Sequence, residues 1–338
     1  MNSQDTDRLK SLLPPALAGR VRSLRLADGR VTLVVDATGL EVQERPALEA
    51  DLRTALNGAD GVEEVHVAIM ADKVQPVILA VGSGKGGVGK STLSANLAVA
   101  LARLGRKVGL VDADISGPSQ ARLLGTEDQR PVAHENRLVP VASRWGVPML
   151  SMAQLTEPGA AIAWRGSMVA GAVTQFLEAH WDNAEIIVVD LPPGTGDVQL
   201  TMLQKFKPTG AVIVSTPQDL ALMDATRAVT LFEKGGVPVV GVVENMAGYA
   251  CPHCGEVSDP FGVGGAEAAA KTMSLDFLGR IPLDIAIRRE SDAGNPVAAG
   301  DSPQAEAFMA LAGRVNDWLV QRQSQPNSQA QTQIQAGL

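Results

Sequence analysis

The spacing of apolar residues changes once along the chain, near Pro76, and the change separates two kinds of structure. Before it, Leu24 and Leu26 alternate with polar neighbours, Asp28-Gly29 supplies a tight turn, and Val31, Leu33 and Val35 alternate again, which predicts a β-hairpin. The stretch "ERPALEADLRTAL" has helical periodicity, and "VEEVHVAIM" alternates at Val65, Val67 and Ile69. Residues 1–72 are therefore expected to form a small α+β domain, joined onward by "ADKVQP". Beyond it the apolar residues come in short unbroken runs, "VILAV", "VGLVD", "IIVVD", "AVIVS" and "VPVVGVVEN", as parallel strands buried on both faces require. Helical segments separate them. In "STLSANLAVALARLG" the residues Leu93, Leu97, Leu101 and Leu104 share one stripe. Alternating strands and helices over residues 76–320 predict an α/β fold with a doubly wound, mostly parallel sheet. Its last helix is expected in "SPQAEAFMALAGRVNDWLV", capped at Ser302, with Pro303 first inside and Phe308, Leu311, Val315 and Trp318 at helical spacing. Residues 321–338 are rich in Gln, Ser and Asn, a composition expected to be disordered, and no internal repeat is present.

Composition narrows the setting without changing this picture. The chain has 338 residues, 45% hydrophobic and 20% charged, enough apolar material for a sizeable core. No signal-peptide core segment and no run of 18 apolar residues occurs, so a cytoplasmic protein with no membrane partner is expected. A net charge of -8 argues against a nucleic-acid partner, which needs a concentrated basic surface. His66, His134 and His180 are scattered, Trp145, Trp164 and Trp181 read as core or interface residues, and no hydrolase-type triad or carboxylate pair stands out.

The strongest chemical signal is "GSGKGGVGKST", directly after the strand "VILAV" and directly before a helix. Gly84 to Ser91 fits G-x-x-x-x-G-K-[ST], and the strand-loop-helix context is what gives the match its meaning. Backbone N–H groups of Gly84, Lys85, Gly86, Gly87, Val88 and Gly89 would curl toward phosphates, and Thr92 lies in the helix start whose dipole favours an anion. Lys90 is expected on the β and γ phosphates and Ser91 on Mg²⁺. Two strands end in acids, Asp112 and Asp114 in "VGLVDADISGPS" and Asp190 in "IIVVDLPPGTGD". Asp190 is placed to anchor Mg²⁺ through its water shell and Asp114 to orient an attacking water. Asp112 reads equally well as a helix cap. Asn245, at the end of "VVGVVEN", offers a donor and an acceptor together, which suits the edge of a purine.

Taken together, "GKGGVGKS" with Lys85 after its first glycine, "DADISGPS", "DLPPGTGD", "VVENMAGY" and "GRIPLDIAIRRESDAGNPV" resemble the deviant P-loop ATPases, and most closely the Mrp/ApbC iron-sulfur carriers. That group is related to the MinD and ParA positioning ATPases and to nitrogenase iron protein. The resemblance spans roughly residues 76–300 and does not extend function onto the first 72. It implies that Lys85 crosses a homodimer interface to the partner's nucleotide, that "DADISGPS" and "DLPPGTGD" are switches, with backbone N–H groups around Gly194 near the γ-phosphate, and that Asn245 reads adenine, favouring ATP.

The only two cysteines, Cys251 and Cys254 in "GYACPHCGEV", sit where this group keeps its Cys-Pro-x-Cys motif. One chain supplies two thiolates; a two-fold dimer supplies four, which suits a [4Fe-4S] cluster. The implied function is an ATPase that carries the cluster between two subunits and delivers it to apo iron-sulfur proteins. His253 is expected to point away from the metal. Zinc bridging the same four thiolates remains open, since tetrahedral thiolate sites serve both, and with it a MinD/ParA-like positioning role. That role fits poorly with an uncharged tail after Arg322 and an acidic chain. A thiol-disulfide switch fits less well, because the motif follows a late strand rather than opening a thioredoxin-like unit.

Overall fold

The computed structural model describes residues 3–38, 40, 43–70, 75–155 and 166–324. The chain divides into two units, Met1–Gln75 and Pro76–Leu338. Trp164, most of the "ADKVQP" linker and residues 325–338 lie outside the described residues.

In the first unit, β1 (Val21–Ala27) and β2 (Arg30–Asp36) form the expected antiparallel hairpin across Asp28 and Gly29, both at positive φ (49° and 75°). Strand β3 (Glu64–Met70) then pairs in parallel with β2, reached through the helix Arg45–Leu56. Val31, Leu33 and Val35 turn one face of this sheet onto Leu48, Leu52 and Leu56 of that helix and onto Leu9 of the helix Ser3–Ser11, forming a core of their own. Polar residues occupy the other face, as period-2 alternation demands.

The second unit is built on a seven-stranded sheet. Its strands are β4 (Val77–Gly82), β5 (Val108–Asp112), β8 (Met149–Ser151), β9 (Ile186–Asp190), β10 (Gly210–Ser215), β11 (Val239–Asn245) and β14 (Phe277–Ile281). Between these in the chain come two small hairpins, β6–β7 (Val132–His134, Arg137–Val139) and β12–β13 (Tyr249–Ala250, Val257–Ser258). The sheet order is β14-β11-β10-β4-β9-β5-β8, and all its pairings are parallel. Both faces are covered. Leu79, Val81, Leu110 and Val188 face the helices Lys90–Arg103 and Pro303–Ser324, while Ala80, Val111, Ile187 and Val189 face Gly166–Leu177, Asp197–Phe206 and Asp219–Lys234. Burial on both sides is why these strands read as unbroken apolar runs rather than alternating ones.

Two details depart from the sequence expectation. Leu93, Leu97 and Leu101 are buried as the stripe predicts, but Leu104 is 42% exposed, because the helix ends at Arg103 and Gly105 turns the chain at φ 87°. The last helix runs through Ser324, past the Gln321 at which disorder was expected, with Leu319 buried against the core. Among the described residues no helix is long and apolar enough to cross a membrane.

Candidate functional site

The carboxyl ends of the central strands, where ligands bind in open α/β sheets, bring the predicted residues together. β4 ends at Gly82 and feeds the loop that starts the helix Lys90–Arg103. β9 lies beside β4 and β5 beside β9, and these two end in register, Asp190 opposite Asp112. Glycine is required in the loop, most clearly at Gly89 and Gly84. Gly89 adopts φ 80°, and a Cβ there would strike the Asn245 amide; a Cβ on Gly84 would overlap the carbonyl of Asp224 in the neighbouring helix.

Lys90 is 6% exposed and its Nζ lies 2.7 Å from Asp190 Oδ1 and 3.8 Å from Asp114 Oδ2. The same Asp190 oxygen accepts the Ser94 hydroxyl at 2.8 Å, and Asp190 is wholly buried. Lys85 is exposed. Asp114 accepts the Ser116 N–H. Asp112 takes the backbone N–H of Gln120, first residue of the short helix Gln120–Leu123, together with the Ser151 hydroxyl and the Asp114 N–H, so its side chain caps that helix. Gly194 N–H donates to the Ser83 carbonyl at 2.9 Å, fastening the second acidic loop to the P-loop backbone. Asn245 Nδ2 donates to the Val88 carbonyl at 2.7 Å, and among the described residues its Oδ1 and second N–H carry no side-chain bond of this kind.

Sequence reading missed Gln120 and Glu244. Gln120 Nε2 donates to Asp190 Oδ2 and to the Ser91 carbonyl, each at 2.9 Å; no spacing rule links residues 29 and 70 positions apart. Glu244 is fully buried on β11 and accepts Gly264 N–H, Ala266 N–H and Arg280 Nε, tying the start of the helix Gly265–Thr272 to β14. A Glu inside an apolar strand was the signal available for it.

Burial, and then the nearby charge of Asp190, push the Asp112 carboxyl up to about 7 from an ordinary 3.8, against its three hydrogen bonds. A carboxyl raised on folding binds its proton more tightly in the native state. Asp112 therefore lowers stability as pH rises from about 4 to about 7. In nucleotide-free protein with EDTA, the denaturant midpoint should fall across that window, and Asp112→Asn should flatten the fall. Identical pH profiles for the two proteins would contradict it.

The cysteines occupy the tip of β12–β13, the hairpin that follows β11. Cys251 N–H bonds the Glu256 carbonyl at 2.9 Å and Gly255 N–H returns to the Cys251 carbonyl at 2.8 Å, making a tight knuckle with Gly255 at φ 74°. Both thiols are free, Cys251 half-buried and Cys254 exposed. Backbone N–H groups of Cys254 and His253, with the Cys254 thiol, hold the Cys251 thiol below its ordinary range, favouring the thiolate that ligates metal. The exposed His253 contributes its backbone to this arrangement. Among the described residues no group of three or more His, Cys, Asp and Glu side chains converges to hold a metal. His66 pairs with Glu64 in the first unit, His134 and His180 stack edge to face, Trp181 is core, and Trp145 packs partly buried beneath Arg144.

A glycine loop between a central parallel strand and a buried helix, with its lysine on a strand-end aspartate, defines a P-loop NTPase, and solved structures agree. A nucleotide-binding protein from Archaeoglobus fulgidus, in complex with ADP, is 40% identical with a TM-score of 0.59, covering 67% of this chain and 89% of that one. The cell division ATPase MinD of Pyrococcus furiosus is 26% identical with a TM-score of 0.55, covering 72% of this chain and 99% of that one. The family model of the NUBPL iron-transfer P-loop NTPases matches residues 73–316, and the chain belongs to that family. Among its relatives, the iron-sulfur cluster carrier protein of Deinococcus radiodurans is 44% identical over 85% of this chain and 84% of its own. The iron-sulfur protein required for NADH dehydrogenase in mitochondria of Arabidopsis thaliana is 43% identical over 76% and 83%.

Proposed function

We propose that the protein is a cytoplasmic ATPase that holds a [4Fe-4S] cluster between two subunits and transfers it to apo iron-sulfur proteins. The observation that carries this reading is the knuckle of Cys251 and Cys254: two free thiols, that of Cys251 held toward the thiolate, half of a four-thiolate set, placed a few residues beyond the strand whose Asn245 grips the P-loop. The cluster is cargo, so an exposed, two-ligand half-site suits it better than a closed cage. The names borne by the relatives support the same reading.

ATP would lie along Gly84 to Thr92, with Lys90 leaving Asp190 for the phosphates and Lys85 reaching the partner subunit's nucleotide. The Ser91 hydroxyl and the Asp190 carboxylate are hard oxygen donors of the kind Mg²⁺ takes; bound there, the ion would neutralise phosphate charge. Asp114, against Lys90, would orient the attacking water. Because Lys90 is tied to Asp190 and Asp114, and Gly194 to Ser83, occupation by nucleotide would release bonds that reach both acidic loops.

Asn245 Oδ1 would accept the exocyclic amine of adenine, whereas guanine presents a carbonyl there. ATP should bind more tightly than GTP, and Asn245→Ala should narrow the difference, at a cost of about 1–3 kcal/mol for the lost pairing. Competition titrations with both nucleotides check this; equal affinities in the parent would contradict it. The function itself is tested by mixing cluster-loaded protein with an apo [4Fe-4S] enzyme under a chelator that captures free iron. Recovery of the acceptor's activity is expected, and no recovery would contradict the transfer role.

A further inference from the structure

Gln120 is wholly buried, yet its side-chain carbonyl Oε1 has no hydrogen-bond partner. Buried polar atoms are nearly always paired, so an orphan on a side chain bonded to Ser91 and Asp190 asks for a donor that arrives with a ligand. The rest of the residue is fully committed. Its Nε2 bridges the Ser91 carbonyl and Asp190 Oδ2, and its backbone N–H holds Asp112. One side chain thus touches both residues assigned to the metal, at the backbone carbonyl of Ser91 and at the carboxylate of Asp190. The other oxygen of Asp190 is held by Lys90 and Ser94. When Lys90 turns to phosphate, Gln120 and Ser94 are what keep that carboxylate in its orientation.

We propose that Gln120 is a positioning residue for the magnesium of the nucleotide complex: Nε2 fixes Asp190 and the Ser91 backbone, while Oε1 accepts a hydrogen from a water of the metal's shell. Magnesium retains several of its waters when bound to protein, and each carries hydrogens that need acceptors. A side-chain carbonyl beside the carboxylate supplies one without adding charge. The neutral amide has a second merit, since a carboxylate in its place would crowd Asp112 and Asp190 with a third negative charge. This inference rests on the ATP-magnesium reading above.

The test measures binding rather than turnover. Titrations of a fluorescent ATP analogue are run in excess Mg²⁺ and in EDTA, and Mn²⁺ binding to the nucleotide complex is followed by electron paramagnetic resonance, for the parent, Gln120→Leu and Gln120→Glu. Gln120→Leu should weaken Mn²⁺ binding about tenfold, the usual effect of losing an outer-shell partner, while affinity in EDTA stays at the parent's value. Gln120→Glu keeps the shape and should weaken binding in EDTA by repulsion but gain more from added metal than the parent does. If Gln120→Leu loses affinity equally with and without metal, the residue only supports the loop and the inference is wrong. Unchanged Mn²⁺ binding overturns it too. Should Gln120→Leu not fold, a metal-dependent gain in Gln120→Glu equal to the parent's would be decisive against it. A parent that binds no nucleotide would instead overturn the underlying reading.

Discussion

Lys90→Ala should lose ATP binding altogether and also unfold at a lower temperature, with no recovery when ATP is added. The lysine is 6% exposed and its ammonium is the cation that balances Asp190, a carboxylate with no solvent exposure. Removing it leaves a buried charge held only by the neutral Ser94 and Gln120, a defect that costs about 3–5 kcal/mol. The phosphate contact goes with it. Lys85→Ala is the informative partner variant: the residue is exposed, so stability and nucleotide affinity should match the parent while hydrolysis falls if Lys85 acts across the dimer. Calorimetric binding, thermal melts with and without ATP, and phosphate release on both variants check this. A Lys85→Ala protein hydrolysing at the parent's rate would remove the cross-subunit role, and a Lys90→Ala protein stabilised by ATP would contradict the P-loop assignment.

The sheet was legible because its central strands are buried on both faces. "VILAV", "VGLVD", "IIVVD", "AVIVS" and "VPVVGVVEN" coincide with β4, β5, β9, β10 and β11. The two edge strands escaped notice for a physical reason: β8 is three residues long, and β14, "FLGRI", has its apolar run broken by the exposed Arg280, which an edge position tolerates. The P-loop, its acids and the cysteines were legible because their chemistry is tied to residue type and short spacing. The contacts that join them were not. Nothing in the sequence reveals that Asn245 donates to Val88, that Gly194 fastens to Ser83, or that Gln120 bridges two loops; these are products of strand order. Asp112, ambiguous in sequence, is resolved by geometry into a helix cap whose carboxyl is strained by burial.

Replacing either cysteine should abolish cluster loading while leaving ATP binding intact. Each chain has only Cys251 and Cys254, so a single substitution removes two of four thiolates from a symmetric dimer, and the remaining two cannot close a four-ligand site. The substituted side chain lies at a hairpin tip, half-buried for Cys251 and exposed for Cys254, so folding should be spared. The P-loop shares no residue with the knuckle, and nucleotide affinity in Cys251→Ser and Cys254→Ser should match the parent. Visible spectra after anaerobic reconstitution, set beside ATP titrations of the same samples, separate the two sites. A variant with one cysteine that retains the full absorbance would contradict the ligand assignment.

The shared cluster is tested most directly by native mass spectrometry of the parent after anaerobic reconstitution with iron and sulfide. The account predicts a brown dimer whose mass exceeds two chains by one cluster of about four irons and four sulfides, with no cluster on the monomer. A monomer carrying a complete cluster, or a colourless dimer that takes up zinc and refuses iron and sulfide, would contradict it.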